Sequence, residues 1–303
     1  MEKNMRPYTY EVLKEEIARL KSEFPQLEVG SIGRSVWGKE LYYLRLGNGK
    51  GKMLYNGAHH GMEWITSAML MKFVRDFLTA EKEGGSLRGF DARTLGKRST
   101  LYIVPMLNPD GVRLAALGIP NRLDLRTKQR LLRMNGSDNF AKWQANANGV
   151  DLNHNYDALW QKSKDLEAEY GIYSPGPTRF SGSAPESEPE SRALADFTRK
   201  HDFSLAIAFH SQGKVIYHGF MGKEPMDSLR IARAFCKISP YQLDNTEGIA
   251  SFGGYKDWFV DKFNRPGYTV EVGLGQNPLP LSDLPQIYDD TLPIMLGAMT
   301  TSG

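Results

Sequence analysis

The 303 residues carry 38 Lys+Arg against 35 Asp+Glu, a formal net charge of +3, with 41% hydrophobic and 24% charged residues. These are globular proportions, and the charge is too small to point to nucleic acid; no basic patch interleaved with aromatics adds to it. The single cysteine, Cys236, cannot close an intrachain disulfide and, following the apolar pattern Ile231–Phe235, is expected as a buried core thiol.

Met1 to Pro7 shows no apolar leader, and no window approaches the roughly 18 apolar residues of a membrane span, so a cytoplasmic enzyme is the expectation. Val12, Leu13, Ile17, Leu20 and Phe24 recur at helical spacing before Pro25, which predicts a helix over 10–24. Residues 41–46 and 53–56 read as strands separated by Gly47-Asn48-Gly49. The second strand runs into Gly57-Ala58-His59-His60-Gly61-Met62-Glu63-Trp64, after which 64–78 has the apolar spacing of a helix packed on a sheet. The run 101–107 is hydrophobic enough for a strand buried on both faces and ends in a turn, Asn108-Pro109-Asp110-Gly111.

Asn121 to Asn148 is polar without clear periodicity and reads as a surface excursion near the site. Gly149 to Tyr156 is dense in groups that hydrogen-bond or ligate. Ser187 is the expected N-cap of a helix over 187–200, with Glu190 three residues on. A buried strand over 203–209, helices over 225–237 and 255–263, a strand over 268–272 and a helix over 284–299 complete the chain. His201 reads as a charge at a helix end, His218 as a strand residue and Asp257 as a first-turn acid. Strands alternating with helices predict one α/β domain over 1–303: a mixed, mostly parallel twisted sheet with helices on both faces.

Three predicted strands end on polar residues: His60 with Glu63, His210, and Glu271. In open α/β sheets ligands bind beyond those ends. A lone His-x-x-Glu is a weak pattern, but His60, Glu63 and His210 together would form a His2Glu set, which in catalytic zinc peptidases leaves the fourth position to water. The spacing favours His60 over the adjacent His59. Glu271 would take a proton from the attacking water and return it to the leaving amine. Asp151 would accept from the far nitrogen of His60 and so set its tautomer. There is no Gly-x-Ser-x-Gly elbow and no phosphate loop.

Taken in order, His60-Gly61-Met62-Glu63-Trp64-Ile65, Asn108-Pro109-Asp110-Gly111, Gly149-Val150-Asp151-Leu152-Asn153, His210-Ser211 and Val270-Glu271 resemble the zinc carboxypeptidase family over nearly the whole chain. Within it, His210-Ser211-Gln212-Gly213 and the segment Glu271 to Pro280 resemble bacterial γ-D-glutamyl-L-diamino acid endopeptidases. Those enzymes cut between D-glutamate and meso-diaminopimelate or lysine in peptidoglycan stem peptides. The resemblance implies one zinc ion per chain and a muropeptide or other peptide substrate.

The departures narrow the expectation. Digestive members read the substrate's terminal carboxylate with an arginine after the motif's asparagine, whereas Asn153 is followed by His154. The arginine that polarises the scissile carbonyl follows a tryptophan; here Trp143 is followed by Gln144, a neutral donor expected at the oxyanion, where one donor contributes about 3 kcal/mol. Met62 replaces the arginine of His-x-Arg-Glu, and Ile249 aligns with the tyrosine that caps the pocket. Asn153, His154, Ser211, Gln212 and Ile249 are the expected substrate-binding residues, while Arg133, Lys142 and Arg179 remain open as readers of the diaminopimelate carboxylates. The rival readings are a general carboxypeptidase for C-terminal L-amino acids and a non-catalytic module that binds cell-wall peptides.

Overall fold

Alternation along short apolar runs decides which side chains face which layer of this molecule. The computed structural model describes residues 6–301, so the Met1–Met5 part of the N-terminal reading lies outside them. Helix α1 (Tyr10–Glu23) is capped by Thr9, whose side chain accepts the Val12 N–H, and leads to β1 (Glu28–Arg34) and β2 (Glu40–Leu46). Strand β3 (Gly51–Gly57) passes through a short 3-10 turn, Gly61–Glu63, into α2 (Ile65–Glu83), which ends on left-handed Gly84. A small hairpin, β4 (Ser86–Leu87) with β5 (Phe90–Asp91), precedes α3 (Ala92–Arg98), β6 (Ser99–Val104), α4 (Pro109–Leu117) and α5 (Leu125–Asn135). Then come α6 (Trp160–Leu166), α7 (Pro189–His201), β7 (Leu205–His210), β8 (Val215–His218), α8 (Ser228–Ile238), β9 (Gln242–Asp244), α9 (Tyr255–Phe263), β10 (Gly267–Glu271) and α10 (Leu284–Ala298).

Eight strands share one sheet in the order β1-β2-β6-β3-β7-β10-β8-β9. Four neighbouring pairs, β3 with β6, β3 with β7, β7 with β10 and β8 with β9, are parallel. On one face Met53, Tyr55, Leu101, Ile103, Ile207 and Val270 pack with α1, α2, α8 and α10. On the other, Leu54, Tyr102, Val104, Ala206 and Ala208 pack with α7 and α9. The runs are continuous in sequence because both faces are covered, and each large apolar side chain buried this way contributes about 1.5–3 kcal/mol. A third cluster, Leu114, Leu131, Phe140 and Trp143, fastens α4 and α5 beside the C-terminal edge.

The structure corrects several local expectations. Asn108 is not in a simple turn: it caps α4, its side chain accepting the Gly111 N–H. Part of the polar stretch 121–148 is helix α5, capped by Asp124 through the Thr127 N–H; Leu131 is its one buried residue, so its apolar period is nearly invisible. The helix expected from Ser187 begins at Pro189 with Glu188 in the cap position, and the Ser187 hydroxyl instead contacts Asn155 and Glu188. Strand β1 was not expected because its residues are only partly buried at the sheet edge. Cys236 is half-buried rather than a core thiol.

Candidate metal centre and active site

The loop after β3 is held by backbone contact. A Cβ on Gly61 would come within 2.4 Å of the Gly111 carbonyl, and the Gly61 N–H donates to the Gln144 carbonyl. The Asn108 amide donates to the carbonyls of His59, Gln144 and Ala145, tying the ends of β3 and β6 to the Trp143 segment. Asn-Pro-Asp-Gly therefore positions the loop that carries His60 and Glu63.

Three side chains converge on one point. Nδ1 of His60 lies 2.8 Å from Oε1 of Glu63, Nδ1 of His210 lies 3.0 Å from Oε2 of Glu63, and the two imidazole nitrogens are 3.3 Å apart. The three donor atoms all fall within 4.8 Å of one another. Ligands about 2.0–2.1 Å from a tetrahedral Zn2+ would stand about 3.3 Å apart, so this set fits zinc without rearrangement. Two imidazole acceptors and a carboxylate crowded together also need a cation between them. The neighbouring His59 points elsewhere: it is fully buried, with Nε2 3.0 Å from the Tyr156 hydroxyl, and its ring stacks on that of His210.

Asp151 braces this centre. Its Oδ1 lies 3.1 Å from Nε2 of His60 and accepts the Asn153 N–H, while Oδ2 accepts the Arg179 N–H at 2.9 Å. Burial opposes ionisation of Asp151, but the His60 and His154 rings and these donors outweigh it and hold its carboxyl far below the usual range. Burial likewise opposes a charged His60, but the carboxylates of Glu63 and Asp151 raise its pKa well above that of free imidazole. The centre thus attracts positive charge, whether a proton or a metal ion. Arg179 adopts left-handed backbone, φ 63°, a conformation that costs a non-glycine residue roughly 1–2 kcal/mol.

Glu271 ends β10, and its Cα pairs in register with that of His210 on parallel β7. Burial, followed by the charge of Glu63, pushes its carboxyl well above the ordinary value. Glu271, His60, Gln144, Asp151, Asn153, His154 and Gln212 all line one cavity of about 1340 Å3 at the C-terminal end of the sheet. The other expected residues differ. Ser211 is buried with its hydroxyl on Asn277, and Ile249 is only 3% exposed and turned away from the cavity, which its neighbours Glu247 and Ala250 line instead. His154 is pinned, Nδ1 lying 3.2 Å from the Phe252 carbonyl, and Asn153 accepts the Tyr255 N–H.

The amino-acid sequence matches the zinc carboxypeptidase pattern over residues 13–294. The chain belongs to the zinc carboxypeptidase family. It is 39% identical over 293 residues to γ-D-glutamyl-L-diamino acid endopeptidase 1 of Lysinibacillus sphaericus, covering 96% of this chain and 72% of that one. Its fold is similar to that of thrombin-activatable fibrinolysis inhibitor, with TM-score 0.76, 20% identity, and 97% and 74% of the two chains covered. It is also similar to that of the murein-tripeptide amidase MpaA of Escherichia coli O157, with TM-score 0.51, 21% identity, and 90% of each chain covered. As a zinc carboxypeptidase family member the chain is a hydrolase whose cofactor is zinc, and His60, Glu63 and His210 are the grouped residues that fit it.

Several cavity residues carried no sequence signal. The Thr178 hydroxyl donates to Oε1 of Gln144, leaving the amide NH2 as that side chain's donor toward the cavity. Lys256 and Asp257, buried neighbours at the start of α9, form an ion pair in the cavity wall, with Lys256 Nζ donating to the Gly219 carbonyl at 2.7 Å. Asp257 is thus more than a first-turn acid. Nothing in the local pattern distinguishes these residues from surface polar groups. His218 ends β8 as expected, and Nδ1 of His201 lies 2.9 Å from the Phe197 carbonyl in the last turn of α7.

Proposed function

We propose that this zinc peptidase hydrolyses the γ-D-glutamyl bond to a diamino acid, meso-diaminopimelate or lysine, in peptidoglycan stem peptides. The observation that carries this reading is His154. It occupies the position after Asn153 where digestive relatives place a carboxylate-reading arginine, and its ring is buried and tied to the Phe252 carbonyl. A terminal carboxylate would find no guanidinium there. The 39% identity to an enzyme named for γ-D-glutamyl-L-diamino acid bonds supports the same substrate class.

In this reading His60, Glu63 and His210 hold the metal, and Asp151 fixes the His60 tautomer. Bound zinc supplies Lewis acidity and lowers the pKa of a coordinated water. Glu271 accepts the proton of the attacking water and delivers it to the departing amine. The Gln144 amide, held by Thr178, donates to the oxygen that becomes negative, and Asn153 and Gln212 orient the peptide.

The test is digestion of L-Ala-γ-D-Glu-meso-diaminopimelate followed by mass spectrometry, with and without zinc chelation, beside a Glu271→Gln variant. Free diaminopimelate that disappears in both controls is the expected result. An intact tripeptide alongside trimming of a blocked L-dipeptide would replace this reading with a general carboxypeptidase. If the zinc-loaded protein cuts neither, the binding module replaces it.

A further inference from the structure

The loss of arginine at position 154 leaves the question of what meets the substrate's carboxylates. Of the three cations that sequence left open, Lys142 and Arg179 line the cavity and Arg133 does not. Both are exposed and lie on loops. Arg179 is held at its backbone, where its N–H donates to Oδ2 of the same Asp151 carboxylate whose Oδ1 faces His60. Its guanidinium carbon sits 5.5 Å from the centroid of the Tyr170 ring, and among the described residues no carboxylate forms an ion pair with it. A guanidinium stacked on a ring and free of internal partners presents its fork of donors outward, the geometry suited to a two-pronged grip on a carboxylate.

We infer that Arg179, from a different loop than position 154, reads a carboxylate beside the scissile bond. This rests on the substrate class proposed above, in which the γ-linked bond is flanked by two such groups, the α-carboxylates of D-glutamate and of the diamino acid. Left-handed backbone at Arg179 and its bond to Asp151 fix where the side chain leaves the loop relative to His60, and the Tyr170 ring flanks the guanidinium, so gripping the carboxylate also registers the amide against the metal centre. Replacing the side chain keeps the backbone N–H on Asp151, which separates substrate reading from support of His60.

The experiment compares the wild-type chain with Arg179→Met, Arg179→Lys and Lys142→Met. The readouts are kcat/KM, and affinity by calorimetry in the Glu271→Gln background. The probes are L-Ala-γ-D-Glu-meso-diaminopimelate, its two mono-amides at the glutamate or diaminopimelate α-carboxylate, and a blocked L-dipeptide as acid and amide. Expected for Arg179→Met is a roughly 10- to 100-fold loss on the free tripeptide, mostly in KM and affinity. No further loss is expected on one of the two mono-amides, and that amide identifies the carboxylate read. Arg179→Lys recovers part of the loss, with zinc content and thermal midpoint unchanged. An equal loss on the acid and both amides, no loss at all, or an amide-specific loss in Lys142→Met alone overturns the assignment. If the wild-type chain takes only the dipeptide, the murein reading fails by itself, and the acid-to-amide comparison on that dipeptide decides Arg179. If it binds none of the probes, both fall.

Discussion

Nε2 of His60 stands 3.1 Å from Oδ1 of Asp151, which lies 91 residues away and is buried at 2% exposure. The contact leaves Nδ1 of His60 as the nitrogen aimed at Glu63 and His210. Asp151→Asn keeps the shape but lets an amide donor face the ring and favours the wrong tautomer. Zinc affinity should fall about 10- to 100-fold, as for other groups that orient a metal-binding histidine. Competition with a chromophoric chelator measures it, and unchanged affinity would remove Asp151 from the account.

Glu271 faces the cavity from the end of β10 but is not one of the three grouped donors. Glu271→Gln should therefore retain zinc while losing about 10²- to 10⁴-fold in kcat. A variant that lost its metal along with its activity would show that Glu271 supports the centre and is not simply the base.

Gln144 reaches the cavity with its carbonyl oxygen occupied by the Thr178 hydroxyl. If its amide stabilises the developing oxyanion, Gln144→Ala lowers kcat about 10²-fold with little change in KM. Thr178→Val, which only frees the amide to rotate, has a smaller effect in the same direction. A change confined to KM in both variants would instead make Gln144 a ground-state contact.

Glu190 is fully buried, with Oε1 accepting the Val36 N–H at 3.0 Å and Oε2 accepting from Asn146 at 3.0 Å. Burial, outweighing these donors, pushes its carboxyl up to about 8. The unfolded chain releases this proton near 4.5, so the folded state binds it more tightly across that interval. The stabilisation is fully present below pH 4.5 and is lost as pH rises through 8, at about 1.4 kcal/mol per pH unit at most. Denaturant unfolding of the zinc-loaded protein from pH 5.5 to 8.5 should show this slope as the difference between wild type and Glu190→Gln. Parallel curves for the two proteins would mean that Glu190 is ionised in the fold.

Much of the framework is legible from local pattern. The apolar runs that became β3, β6, β7 and β10 stand out because both faces of the sheet are covered, and α2 and α10 because most of their positions are apolar and buried against the sheet and neighbouring helices. Helix α5 escaped because a single buried leucine fastens a basic segment, and β1 because an edge strand has few apolar side chains to align. Ile249 shows the limit of alignment: a residue can match a family position while its side chain turns into the protein.

By itself the sequence determined that His60 and Glu63 meet, since three residues across a tight turn put both side chains on one side. It also determined which runs must be buried, because nothing else would shelter their apolar surface. Only the tertiary structure decided that His210 lies beside Glu271, through the parallel register of β7 and β10, and that Asp151, Thr178 and Arg179 arrive from loops with no period of their own. Local backbone geometry acts over a few residues, whereas these meetings depend on which strands pair and which loops the packed layers press together.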